Sequence, residues 1–185
     1  IKSTAARTVK YSFMTSEYKW YGGEDLALAA DELKEVSYDM TVGQDEDGND
    51  LGTSEDITFS ISMGKIANED TPASTIEIDD ISVIKTSGGT TTPEPEPEEP
   101  DPNEMIVNGN FASGETHWVK EVGSLAEANF TDGKAVFNIS DVGSNDWDIK
   151  LRYEDLLKLE QGATYKVKMK IKSTAERTVK YSFIT

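Results

Sequence analysis

The chain has 185 residues, with 18 Lys and Arg against 35 Asp and Glu, a formal net charge of −17, one histidine and no cysteine. That charge argues against nucleic acid, whose phosphates need a basic footprint, and the lack of cysteine removes disulfides and thiolate metal sites. His117 stands alone, which argues against histidine catalysis or a zinc site, and no apolar run approaches the roughly 20 residues needed to span a bilayer.

In chain order, residues 1–15 read IKSTAARTVKYSFMT and return as IKSTAERTVKYSFIT at residues 171–185, with only Ala6/Glu176 and Met14/Ile184 different. A duplication of this length points to a tandem array, with residues 1–85 as the back half of one module and 104–185 as the front half of the next. Directly after the first copy, Tyr18, Trp20 and Tyr21 lie in a loop with two glycines and are hard to bury all at once. Residues 26–35 offer the one short helical turn. Residues 36–42 alternate Val36, Tyr38, Met40 and Val42, and residues 57–63 alternate Ile57, Phe59, Ile61 and Met63, leaving Ser60 and Ser62 outward. Between them, residues 45–56 superficially resemble a calcium loop. Asp50 stands where that loop needs glycine and no helices flank it, so a solvated acidic turn is the better reading. Residues 75–84 form another strand, with a parity slip at Asp79 and Asp80 that predicts a bulge.

Residues 86–103, TSGGTTTPEPEPEEPDPN, alternate proline and glutamate and favour extended polyproline II rather than a core. At about 3.1 Å per residue they reach at most roughly 55 Å, enough to join the two ends of one compact domain or two neighbouring modules. Residues 134–140 and 146–153 are further strands. Lys150 and Arg152 point opposite to Ile149 and Leu151, and both are reasonable hydroxyl donors, although a solvated face accounts for them as well. Trp147 shares the parity of Ile149 and Leu151, which also fits a core residue. Residues 164–172 alternate strictly, with lysines on one face that read as a soluble surface without chemistry, and residues 178–183 continue with Val179, Tyr181 and Phe183. Period-two alternation with one polar face predicts an all-β fold, an antiparallel β-sandwich of the jelly-roll kind, with the duplicated strand surplus.

MIVNGNFASG at residues 105–114, the pair His117 and Trp118, the stretch GKAVFNISDVGSNDWDIKLRYEDLLKLEQGATYKVKMKIKS at residues 133–173 and STIEIDDISVIK at residues 74–85 together resemble the carbohydrate-binding modules of the family 4/9/16/22 group. The closing strand of that pattern stands before residues 86–103 and the opening motif after them. The resemblance therefore implies a circularly permuted module, in which residues 104–185 and 16–85 rebuild one unit. It would close within one chain or by strand exchange in a swapped dimer.

The resemblance also implies roles. Trp147 takes the position of a ligand-stacking tryptophan, and the stretch holding Tyr18, Trp20 and Tyr21 borders the cleft. Trp118 either packs under the opening loop or forms a second cleft wall. Aromatic planes suit the C–H faces of sugars, and Lys150 and Arg152 suit their hydroxyls. A structural calcium is implied at the Asn108 to Asn110 backbone, Asp132, the Lys134 carbonyl and Asp79, although Ala112 stands where the pattern has an acid.

The expected function is that of a non-catalytic module of a secreted or cell-surface protein. It would hold a parent glycoside hydrolase on plant cell-wall polysaccharide, a β-1,4-linked glucan or mannan, with avidity from the array. A structural or adhesion repeat without a glycan ligand is the alternative. A glycosidase has no support, since 35 acidic residues make any carboxylate pair statistically available.

Overall fold

The structure, a computed structural model, describes residues 3–4, 20–43, 50–87 and 101–184. Within these, alternation becomes strand: β1 Ser3–Thr4, β2 Gly23–Ala30, β3 Lys34–Thr41, β4 Ser54–Ser62, β5 Thr75–Lys85, β6 Trp118–Glu121, β7 Ala126–Thr131, β8 Lys134–Ile139, β9 Lys150–Tyr153, β10 Leu157–Leu159, β11 Thr164–Ser173 and β12 Arg177–Ile184. A 3-10 turn, Asp146–Asp148, precedes β9. Tyr18, most of the first repeat copy, residues 88–100 of the expected linker and part of the acidic turn lie outside the described residues.

Two layers form the sandwich. The first runs β3-β11-β5-β8-β7 and the second β6-β9-β4-β12-β2, joined where β2 touches β11 at Ala30 and Ser173. Apart from that bridge, the pairings are antiparallel. The core lies between the layers. Ile57, Phe59, Ile61, Val179, Tyr181 and Phe183 of the second face Ile76, Ile78, Val83, Val167 and Ile171 of the first, all fully buried. Each such side chain contributes about 1.5–3 kcal/mol relative to exposure. Burial also pushes the Tyr181 hydroxyl well above the usual tyrosine range.

Strands from before and after residues 88–100 interleave in both layers. β11 lies between β3 and β5, and β12 lies between β2 and β4. The second repeat copy, residues 171–185, thus supplies the end of one central strand and the whole of another.

The bulge expected at Asp79 and Asp80 is present as a register shift between Lys168 and Lys170 on β11, with Asp80 at φ 50°. Residues 26–35 correct the expected helical turn. They end β2, turn at Asp31 (φ 60°) and begin β3. Leucine, alanine and glutamate favour helix by only fractions of a kcal/mol per residue, whereas β-pairing to β12 buries Leu26 and Leu28 in the core. Among the described residues no helix is long and apolar enough to cross a membrane.

Candidate functional site

The register of the second layer sets two cross-strand rows on its outer face. One row is Glu121, Lys150, Ser62, Lys180 and Asp25; the other is Val119, Arg152, Ser60, Ser182 and Gly23. Facing residues in such rows share one side of the sheet. Short side chains therefore floor the face along β4 and β12, with the longer Lys150, Arg152 and Lys180 beside them. Ser60, Ser62 and Ser182 are buried, and the Ser60 and Ser182 hydroxyls hydrogen-bond each other at 2.8 Å.

The long side chains are held in place. Lys150 Nζ and Arg152 Nε each reach a Glu121 carboxylate oxygen at 2.8 Å. Burial pushes the Glu121 carboxyl up, but the hydrogen bonds from Lys150 and Arg152 outweigh it and hold the group below the usual range. Lys180 Nζ pairs with Asp146 at 2.5 Å.

Asp146 opens the turn that carries Trp147. Three backbone bonds bolt this turn to the end of β4: Met63 N–H donates to Ile149 O at 2.8 Å, Gly64 N–H to Asp146 O at 2.8 Å and Lys65 N–H to Asn145 O at 3.0 Å. A Cβ on Gly64 would stand 2.1 Å from Asn145 O, so only glycine permits the approach. The Asp148 carboxylate accepts from the backbone N–H groups of Ser144 and Asn145, which holds it below the usual range. On this fixed turn Trp147 is 59% exposed. The turn also shortens the strand expected from residue 146 to β9, so the parity argument that gave Trp147 a core alternative stops at Ile149.

The other aromatics divide. Trp20 is half-buried against the core, three residues before Gly23, at the opposite end of the strand direction from Trp147. Tyr21 is buried, and its hydroxyl donates to Leu51 O at 2.6 Å, which removes it from a stacking surface. Trp118 is buried too, with ring centroids 5.2 Å from Phe111 and 5.1 Å from Tyr153. Its indole N–H donates to Asn108 O at 3.0 Å. Of its two readings, this geometry is packing under the opening loop.

That loop meets β5 and the β7–β8 hairpin. Ile81 N–H donates to Gly109 O at 2.9 Å, and the Asn110 carbonyl lies 3.4 Å from where a Cβ on Gly133 would stand. The hairpin turns through Asp132 (φ 51°) and Gly133 (φ 72°), the two positive-φ residues of a tight type I′ turn. Continuing the Ile78–Ala135 register by one residue sets Asp79 opposite Lys134. Asp79, Asp132, Lys134 and Asn110 are thereby gathered in one place. Burial raises the Asp79 carboxyl above its ordinary value, with Asp80 N–H donating to it at 2.8 Å. Asn108 is already engaged. Its carbonyl accepts from Trp118 and Phe111, and its side chain bonds Gly114, Thr116 and Ser113 within the loop. The donor set that remains, two carboxylates with backbone carbonyls, has the hard-oxygen chemistry calcium prefers. Among the described residues there is no group of three or more His, Asp or Glu side chains placed to hold a metal.

Sequence reasoning missed Glu121, Lys180, Ser182, Asp25 and Asp146. Parity alone placed Lys180 and Ser182 outward, but their meeting with Ser60 and Ser62 depends on cross-strand register, which the sequence does not display.

A jelly-roll sandwich with a built polar face and a fixed, exposed tryptophan at its end has the anatomy of a binding domain. Residues 103–183 match the family model described as a carbohydrate binding domain, of families 4 and 9. The match spans β6 to β12 and includes Trp118, Trp147, Lys150, Arg152 and Lys180, while β2 to β5, which complete both layers, lie outside it. No curated protein and no solved structure matches the chain.

Proposed function

We propose that the chain is a non-catalytic carbohydrate-binding module whose two halves, residues 104–185 and 16–85, form one unit. On this reading the outer face of the second layer binds a β-1,4-linked glucan or mannan of plant cell walls. Trp147 stacks on a sugar ring, and Lys150, Arg152, Lys180 and Ser62 serve its hydroxyls, with Trp20 at the far end. The observation that carries the reading is Trp147, 59% exposed on a turn bolted by three backbone bonds, inside the segment with the family match. The backbone under Trp147 is already set before a ligand arrives, so binding has only the ring's own rotation to restrict. The module would serve a secreted glycoside hydrolase by keeping it on its substrate.

Asp79, Asp132 and the Asn110 and Lys134 carbonyls would hold a structural calcium, which would tie the opening loop to β5 and the hairpin. The ion would add stability there and take no part in stacking.

Isothermal titration with cellohexaose, mannohexaose, xylohexaose and laminarihexaose tests the reading. Micromolar to millimolar binding to the first or second supports it, with a loss of tenfold or more, about 1.4 kcal/mol, in Trp147→Ala. Absence of heat with all four sinks it and leaves a structural or adhesion repeat.

A further inference from the structure

The duplicated segment carries an inference that does not depend on what the outer face binds. Residues 171–185 fill a slot at the centre of the fold, and within it Arg177, Thr178, Val179, Tyr181, Ser182 and Phe183 are each at most 2% exposed. The first copy has the same residue at each of these positions: Arg7, Thr8, Val9, Tyr11, Ser12 and Phe13. Ile171 and Ser173, also fully buried, return as Ile1 and Ser3. Of the two differences, Glu176 lies half-buried in the turn between β11 and β12, where Ala6 would stand, and the other is at Ile184, the last residue of β12. The slot's packing requirements are therefore met by either copy.

Connectivity and register favour the same conclusion. β12 lies antiparallel to β2, with Arg177 opposite Leu28 and Thr178 opposite Ala27. The first copy precedes β2 in the chain, so placing Arg7 opposite Leu28 would make a local hairpin with β2. That is a closure with little loop entropy to overcome. Ser3 and Thr4 already pair antiparallel with Ala30 and Ala29 of β2. This is two residues out of the register that the slot imposes, and an even offset keeps every side chain on its own face. Ser3 and its counterpart Ser173 flank Ala30 on its two edges, so Ser3 and Thr4 of the first copy lie against β2 beside the slot while the second copy fills it.

We propose that the gap between β2 and β4 is a strand-acceptor site with two alternative occupants in one chain: residues 171–185, as in this structure, and residues 1–15. Exchange between them keeps the core composition and changes only which end of the chain is released.

The full-length chain tests this. Tyr181→Asp with Phe183→Asp removes the second copy from the core. The expected result is a monomer that still unfolds cooperatively, with a lowered midpoint, and that loses the transition when Tyr11→Asp and Phe13→Asp are added. Loss of the transition with the first pair alone overturns the proposal, as does its survival with all four changes. Rescue seen only at dimer size overturns exchange within one chain. A direct readout uses the absence of natural cysteine. In the Tyr181→Asp, Phe183→Asp background, Thr8→Cys with Ala27→Cys should form an intrachain disulfide, detected by mass, and a pair that stays reduced overturns the proposal.

Discussion

On the outer face of the first layer, Lys166, Lys170 and Lys172 reach Asp39, Asp80 and Glu77 at 3.6, 2.5 and 3.5 Å. On that of the second, Lys150 and Arg152 share Glu121 at 2.8 Å each, and Lys180 reaches Asp146 at 2.5 Å. Both faces are polar and both pair their lysines, so composition does not separate them. The most buried of these pairs is on the second face, Lys180 with Asp146 at 25% and 10% exposed, although Lys172 and Glu77 on the first, at 33% and 27%, differ little from Arg152 and Glu121 at 32% and 40%. Exposed pairs are screened and contribute little. The second face also has a floor of buried serines and a tryptophan fixed at its end, which the first lacks among the described residues. On the proposed reading, the second face, with buried serines between its cations and Trp147 at its end, is organised for a ligand, while the lysine pairs of the first serve solubility.

The sharpest way to break this comparison is through two glycines. Gly64→Ala would set a Cβ 2.1 Å from Asn145 O and so displace the turn carrying Trp147. Gly109→Ala would set one 1.8 Å from Ile81 O and displace the opening loop, which packs on β5 and Trp118. Backbone clashes of this kind typically cost about 1–3 kcal/mol, a fall of roughly 2–12 °C in midpoint for a chain of this size. Both variants should lose stability in thermal unfolding, but only Gly64→Ala should also lose glycan binding in titration. Equal binding losses would mean that the face and the opening loop are not separate.

Trp147→Ala isolates the ligand contribution. An exposed side chain supports little of the fold, so stability should stay within about 0.5 kcal/mol of the parent while binding falls at least tenfold. A large loss of stability would show that the ring packs on something essential and would reverse its assignment.

Glu121 offers a pH probe. Its carboxyl is held below the usual range in the folded chain, so its pairing is complete above the unfolded-state value near 4.5 and is lost as pH falls through the lower folded value. Stability should therefore decline on acidification below about pH 4.5, with Lys150 and Arg152 released from their partner. In Glu121→Gln that part of the decline should be missing from a series of melts between pH 3 and 6. An unchanged series would remove Glu121 as the group that positions the two cations.

What was legible in the sequence follows from physics of short range. Strict alternation in β11, β12, β4 and β5 identified strands and core faces, because side-chain parity is local. The bulge at Asp79 was legible for the same reason. β2 was misread, because its leucines and alanines suit a helix and only pairing with β12 decides otherwise. Trp147 was ambiguous because its parity holds only if the strand continues through residue 147, and the 3-10 turn ends it. The rows of the proposed binding face bring together β6, β9, β4, β12 and β2, drawn from both sides of residues 88–100. Such meetings are fixed by register between distant segments, so the sequence named two of the serines and two of the cations without showing that they meet.

The smallest expected effect closes the comparison from the other face. Asp80→Asn removes the charge that pairs with Lys170 and still suits the φ of 50° at this bulge, at a position where both side chains remain largely in water. Water and salt can replace the carboxylate there, so neither the unfolding midpoint nor glycan affinity should change measurably at physiological ionic strength. Asp80 also adjoins Asp79, which makes the variant informative in a second way. If calcium stabilises the chain through Asp79 and Asp132, the shift in midpoint on adding calcium should survive Asp80→Asn and vanish in Asp79→Asn. A calcium shift lost in both would mean that the two neighbouring acids act together and that the first layer's outer face is more than a solvated stripe.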